Sequence, residues 1–171
     1  AVSMTAPTVT LEDSGLFTGT FGGGNGGVVT VTGTSSASLT RSNITTTAAE
    51  TTGNSGSVAI TAPTVRIVGN PDFPGTPNID TSTQNFSDNP NAGNGGNITI
   101  TGTNVTFTDF AQLQSTAIGP GTFSKGGTIR ITGSESILVG NNSFFLTTTT
   151  SQGQAGEMQL SSKHVTITGQ S

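Results

Sequence analysis

The stretch Gly93-Asn94-Gly95-Gly96-Asn97-Ile98-Thr99-Ile100-Thr101-Gly102 constrains the fold more than any other part of the chain. Its centre, apolar-x-apolar followed by Thr or Ser, recurs at Val2-Ser3-Met4-Thr5, Val29-Thr30-Val31-Thr32, Val58-Ala59-Ile60-Thr61, Ile129-Arg130-Ile131-Thr132 and Met158-Gln159-Leu160-Ser161. Gly-Gly or Gly-Ser stands at or one residue before four of the six copies, and Gly156-Glu157 before a fifth. Strict alternation is the pattern of a strand with one buried face. One short strand repeated at intervals of a few tens of residues marks a repeat architecture.

The second apolar residues of the copies (Met4, Val31, Ile60, Ile100, Ile131, Leu160) are spaced 27, 29, 40, 31 and 29 residues apart. A second apolar-x-apolar pair follows each copy. It begins five residues on at Val9, Val65, Val105 and Val165, and six on at Ala37 and Ile137. A third, weaker segment is visible at Leu16-Phe17-Thr18, Ile44-Thr45-Thr46, Ile79-Asp80-Thr81, Leu113-Gln114-Ser115 and Phe145-Leu146-Thr147. Small corners such as Ala6-Pro7-Thr8 and Ala62-Pro63-Thr64 separate the first two segments, and Pro there cannot donate a ladder hydrogen bond. Hairpin turns of the Asn-Gly or Asp-Gly kind are missing from these corners, so a meander is not indicated.

The expected fold is all-β: a right-handed parallel β-helix over residues 1–171, with about six turns and three short strands per turn. Composition agrees, with Thr, Ser, Asn and Gly dominant, 25 Gly, and only 8% charged residues. A disordered Ser/Thr-rich linker would need no periodicity.

Stacking at the inter-strand spacing of about 4.8 Å puts like positions of successive turns in columns. The expected core residues are Val29, Val31, Val58, Ile60, Ile98, Ile100, Ile129 and Ile131. The expected ladder of side-chain hydroxyls, which would hold the register, is Thr5, Thr32, Thr61, Thr101, Thr132 and Ser161. The 40-residue repeat carries two extra stretches, near 69–78 and 84–94, expected to project from one side of the rod.

Charge and composition exclude several functions. Five scattered cations (Arg41, Arg66, Lys125, Arg130, Lys163) against nine carboxylates make no patch for a phosphate backbone, so no nucleic-acid partner is expected. No apolar run is long enough for a membrane span. The chain has no Cys, and its one histidine, His164, has no carboxylate near it in sequence. The acids are dispersed, and Asp80 is the only one in a regular position of the third segment. No enzyme activity, metal or cofactor is therefore expected. The Gly-rich loops hold Asn but no Asp, unlike calcium-binding β-rolls.

Segments such as Gly93–Gly102 and Ala62-Pro63-Thr64-Val65-Arg66-Ile67, with return loops ending in Gly-Gly, resemble the repeat region of filamentous-haemagglutinin-like large exoproteins. The resemblance runs through all six copies and carries no catalytic residues. It implies an extracellular rod exported by the two-partner route, on the surface of a Gram-negative bacterium such as a cyanobacterium, serving adhesion, biofilm or matrix roles. The expected function is thus a non-catalytic structural module of an adhesin or surface filament.

Two other readings come from different classes. One is a carbohydrate-binding or carbohydrate-active β-helix, against which stands the absence of Trp and Tyr. The other is an ice-binding Thr array. Its first Thr is Ser, Ala, Arg or Gln in four of the six copies.

Neither end of the sequence shows a polar capping element, and the chain lacks an initiator Met. A mature chain or fragment is expected, continuing as a rod through further repeats or by end-to-end stacking of identical chains, with surface glycans or other cells as outer partners.

Overall fold

The structure is a computed structural model that describes residues 1–49, 52–85, 93–119, 124–150 and 152–169. Those residues form an all-β parallel solenoid of about five turns, with no helix among them. Every strand pairing between turns is parallel, as a chain that coils forward must give.

The long sheet has six rungs: Val2–Glu12, Val29–Thr40, Val58–Thr61 with Thr64–Val68, Ile98–Thr108, Ile129–Val139, and Met158–Ser161 with His164–Ile167. A second sheet stacks Gly15–Phe17, Asn43–Thr45, Ile79–Asp80, Gln112–Gln114 and Phe144–Leu146. A third stacks Thr20–Phe21, Ala48–Ala49, Thr83–Gln84 and Ala117–Ile118, with Thr149 adding a single bridge to Ala117.

Three short strands per turn were expected, and those segments fill only two of the three faces. The first two apolar segments of each repeat lie in one bent sheet and are not separated by a corner between sheets. Gly33-Thr34-Ser35-Ser36 and Gly133-Ser134-Glu135-Ser136 each hold one residue more than the rungs stacked on them, and the register shifts there. The bend is tight enough that a Cβ on Gly33 would overlap the Ser36 carbonyl oxygen. The third face is built from two-residue strands that carry no repeated apolar pattern.

The registers align the columns as the repeats do. Val2, Val29, Val58, Ile98, Ile129 and Met158 are stacked partners, as are Met4, Val31, Ile60, Ile100, Ile131 and Leu160. Val29, Val31, Val58, Ile60, Ile98, Ile100, Ile129 and Ile131 are all buried, in one core cluster that Ile44, Ile79 and Leu113 complete from the second sheet. Phe107 meets Phe145 edge to face at 4.8 Å across that interior.

The column Thr5, Thr32, Thr61, Thr101, Thr132 and Ser161 also stacks in register, on the outside of the long sheet. Among the described residues, however, no hydrogen bond joins two hydroxyls of this column. Alternation points these side chains out of the core, onto the outer face of the sheet.

Candidate functional site

Two polar columns surround the Gly-rich entry to the long sheet, one closing each turn on itself and one tying successive turns together. Gly27, Gly56, Gly96, Gly127 and Gly156 occupy one position of successive turns. A Cβ on Gly56, Gly96, Gly127 or Gly156 would overlap the carbonyl oxygen of the glycine one turn below. Only glycine lets the backbones approach this closely, which explains the recurrent Gly before each strand.

Four of their carbonyls accept a hydrogen bond from the last residue of a third segment. Thr18 Oγ1 donates to Gly27 (3.1 Å), Thr46 to Gly56 (2.9 Å), Thr81 to Gly96 (2.8 Å) and Thr147 to Gly156 (3.1 Å). Ser115, in the same column, donates to Gly96 (2.5 Å) and accepts from the Gly127 amide (3.0 Å). These hydroxyls form a repeated column of turn-closing bonds, from which Thr81 and Ser115 also reach a neighbouring turn. Their signal was present in the sequence as the Thr or Ser closing each third segment.

Outside the glycines runs an asparagine ladder. Asn25 Oδ1 accepts the Asn54 amide (2.9 Å), Asn54 Oδ1 accepts the Asn94 amide (2.8 Å), and Asn94 Oδ1 accepts the Lys125 amide (2.8 Å). Each side chain thus satisfies a backbone donor of the next turn, alternating with backbone bonds such as Gly26 N to the Asn54 carbonyl and Ser55 N to the Asn94 carbonyl, both at 2.9 Å.

The surface feature with binding geometry is a cleft of about 310 Å³ where the long sheet turns into the second sheet. The expected projecting loop near 69–78 forms its outer wall. This loop leaves the third rung and folds back over the corners of the first two turns, so that Phe73, Thr76 and Pro77 face Asp13, Gly15, Arg41 and Asn43.

The loop is fixed at its base by Asn78, which is buried. Its Nδ2 donates to the Ser42 (3.0 Å) and Val68 (3.2 Å) carbonyls, and its Oδ1 accepts the Gln112 amide (3.0 Å). Within the loop, Phe73 N bonds the Asn70 carbonyl and Thr76 N the Phe73 carbonyl, both at 3.2 Å. Gly75 takes φ +109°, a value that glycine alone adopts freely. The second projecting stretch, 84–94, lies mostly outside the described residues, which stop at Asn85 and resume at Gly93.

One end of the cleft is an ion pair. Arg41 Nε and Nη2 reach the two Asp13 oxygens at 2.7 Å each, and Nη2 lies 3.4 Å from Glu12. The guanidinium hydrogen bond holds the Asp13 carboxyl below its ordinary pKa, and the carboxylates raise that of Arg41. Asp13 and Arg41 both take positive φ, so the two αL corners stack and bring the side chains into register.

The other perturbed acid is Asp80, on the second sheet. Burial raises its pKa, offset in part by hydrogen bonds from Ser82, whose amide donates to Oδ1 at 2.9 Å. Among the described residues, no group of three or more His, Cys, Asp or Glu side chains could hold a metal ion, and His164 is exposed on the last rung.

Sequence reasoning placed no aromatic residue at a site. Phe73 is nevertheless 67% exposed at the cleft, and Phe17 and Phe21 stack at 6.2 Å on the outside of the first turn. The signal for Phe73 was its setting, Asn70-Pro71-Asp72-Phe73-Pro74, a stiff polar loop with one large apolar residue.

The fold and these sites define a parallel β-solenoid with a loop-walled cleft. Comparison with known proteins found no matching family model, no matching curated protein and no matching solved structure. No helix among the described residues is long and apolar enough to cross a membrane.

Proposed function

We propose that the chain is a non-catalytic structural module of an extracellular bacterial adhesin or surface filament. The observation that supports this reading is the uniform stacking. Six rungs of the long sheet stack with their apolar columns aligned, the asparagine column joins successive turns, and the threonine–glycine pairs close each turn. Such a stack propagates along an axis without limit, which suits a spacer that carries binding surfaces away from a cell. Further repeats, or identical chains end to end, extend the same rod. Surface glycans or other cells are its outer partners.

The test is to raise antibodies against the chain and image the native material by immuno-electron microscopy. Labelling along thin surface fibres of Gram-negative cells supports the reading; labelling confined to the cell interior overturns it.

A second reading, carbohydrate binding, is favoured by one observation, the exposed Phe73 ring above a cleft lined by amides and hydroxyls. The ice-binding reading gains no such support. The register sets Arg130 beside Thr99 and Ala59 beside Thr30, interrupting the array.

A further inference from the structure

The two charged residues lining the corner cleft, Asp13 and Arg41, pair with each other. Both Asp13 oxygens are engaged by Arg41, and Glu12 shares the same guanidinium. Among the described residues, Arg41 is the only cation lining the cleft, so a uronate, sulfate or phosphate would compete with two carboxylates already paired to it. A cationic ligand would find no unpaired carboxylate among the lining residues. The occupant that fits is uncharged.

The lining has spare hydrogen-bonding capacity in the right form for hydroxyls. Among the described residues, the Asn43 side-chain amide and the Thr76 hydroxyl make no hydrogen bond, and Asn70 uses only Oδ1, for the Asp72 backbone amide. Beside them stand the exposed face of Phe73 and the ring of Pro77. An apolar face next to donors and acceptors without net charge matches a sugar ring, which has C–H faces and an equator of hydroxyls. A volume of about 310 Å³ lies at the small end of ligand clefts, so the occupant is small.

A peptide docked by strand addition is not favoured. The backbone at the floor is already paired, Asn43 N to Ser14 O, Ile44 N to Asn78 O, and Asn78 N to Gln112 O. The Asn78 anchor and the two tight turns of the loop hold Phe73 in place before any ligand arrives, so little ordering accompanies binding.

We infer that the corner cleft is a subsite for one neutral pyranose ring of a surface glycan, with a C–H face on Phe73 and hydroxyls on Asn43 and Thr76. This rests on the sugar-binding reading above and adds to it the place, the ring and the charge class.

The whole chain is titrated with methyl glycosides of glucose, galactose, mannose and N-acetylglucosamine, followed by saturation-transfer NMR and by the Phe73 ring resonances. Glucuronate and a proline-rich peptide serve as comparators. At least one neutral glycoside is expected to bind and to shift the Phe73 ring protons. Phe73→Ala should weaken it by about threefold to tenfold. Gly15→Ala should weaken it as well, because the new Cβ displaces the Asn43 amide at the floor. Thr99→Ala, on the long sheet, should change nothing.

Neutral-sugar binding that survives Phe73→Ala and Gly15→Ala would overturn the cleft assignment and leave the broader sugar reading standing. No binding of any neutral glycoside at concentrations on the order of tens of millimolar would overturn both. Preference for glucuronate or for the peptide would overturn the neutral ring as occupant.

Discussion

Thr46 and Gly56 grip each other twice. The Thr46 hydroxyl donates to the Gly56 carbonyl over 2.9 Å, and the Gly56 amide donates to the Thr46 carbonyl over 2.9 Å. The same reciprocal pair recurs at Thr18 with Gly27 and at Thr81 with Gly96. It joins the end of the second sheet to the entry of the long sheet, closing each turn on itself before the next begins.

The pair makes the hydroxyl measurable. Thr46→Val keeps the shape and removes the donor to a buried carbonyl. It should lower unfolding free energy by about 1–2 kcal/mol in urea titrations. Thr32→Val, on the exposed column, should stay within about 0.5 kcal/mol of the parent.

The glycine column gives a larger effect. In Gly96→Ala the new Cβ collides with the Gly56 backbone, which cannot move without opening the turn. A loss of about 3 kcal/mol is expected. Gly23→Ala is the control, since its Cβ would meet nothing nearer than Thr52 Oγ1 at 3.8 Å. Equal stability of the two variants would disprove the close-approach account.

Core alternation predicts opposite outcomes at adjacent residues. Ile100 is fully buried, and Ile100→Ala should lose about 2–5 kcal/mol. Ile100→Asp would put an unpaired charge in a dry interior and should abolish folding, seen as loss of the strand signal in circular dichroism. Thr99→Asp, one residue away and facing water, should fold.

Asp80 sets a pH dependence whose sign follows from its raised pKa. The folded chain holds the Asp80 proton more tightly than the unfolded chain, whose carboxyl titrates at its ordinary value of 3.8. The Asp80 contribution therefore favours folding less as pH rises from that value through the raised one, and stays unfavourable above it. Asp80→Asn should be more stable than the parent at pH 7 and should lose that advantage below pH 3.8. Thermal melts of both proteins across this range check it.

Much of the fold was legible because the period-two pattern and the solenoid registers report the same thing. Val58 pairs with Ile98 because each opens its strand, and the 40-residue spacing between their turns leaves the register untouched. The five- and six-residue offsets to Val105 and Ile137 foretold where the register would shift. The third face was not legible, since two-residue strands such as Ala48–Ala49 and Thr83–Gln84 are too short to show alternation. The turn-closing hydroxyls were not legible for a related reason. Thr32 and Thr46 look alike in sequence, and only the closing of the turn shows that one faces water and the other a glycine carbonyl. The cleft was out of reach because it depends on the Asn70–Asn78 loop folding back toward turns some thirty and sixty residues earlier.

The parallel pairing of every rung has a mechanical consequence. The backbone hydrogen bonds between turns run along the rod, so tension on the chain is carried by one inter-turn interface at a time. A rung that yields releases roughly 30 residues, or about 100 Å of slack. The turn beneath it stays closed by its own threonine–glycine pair, as Thr18 and Gly27 close the first turn without help from Thr46. A rod built this way lengthens in steps under load, absorbing shear as a series of small sacrificial extensions.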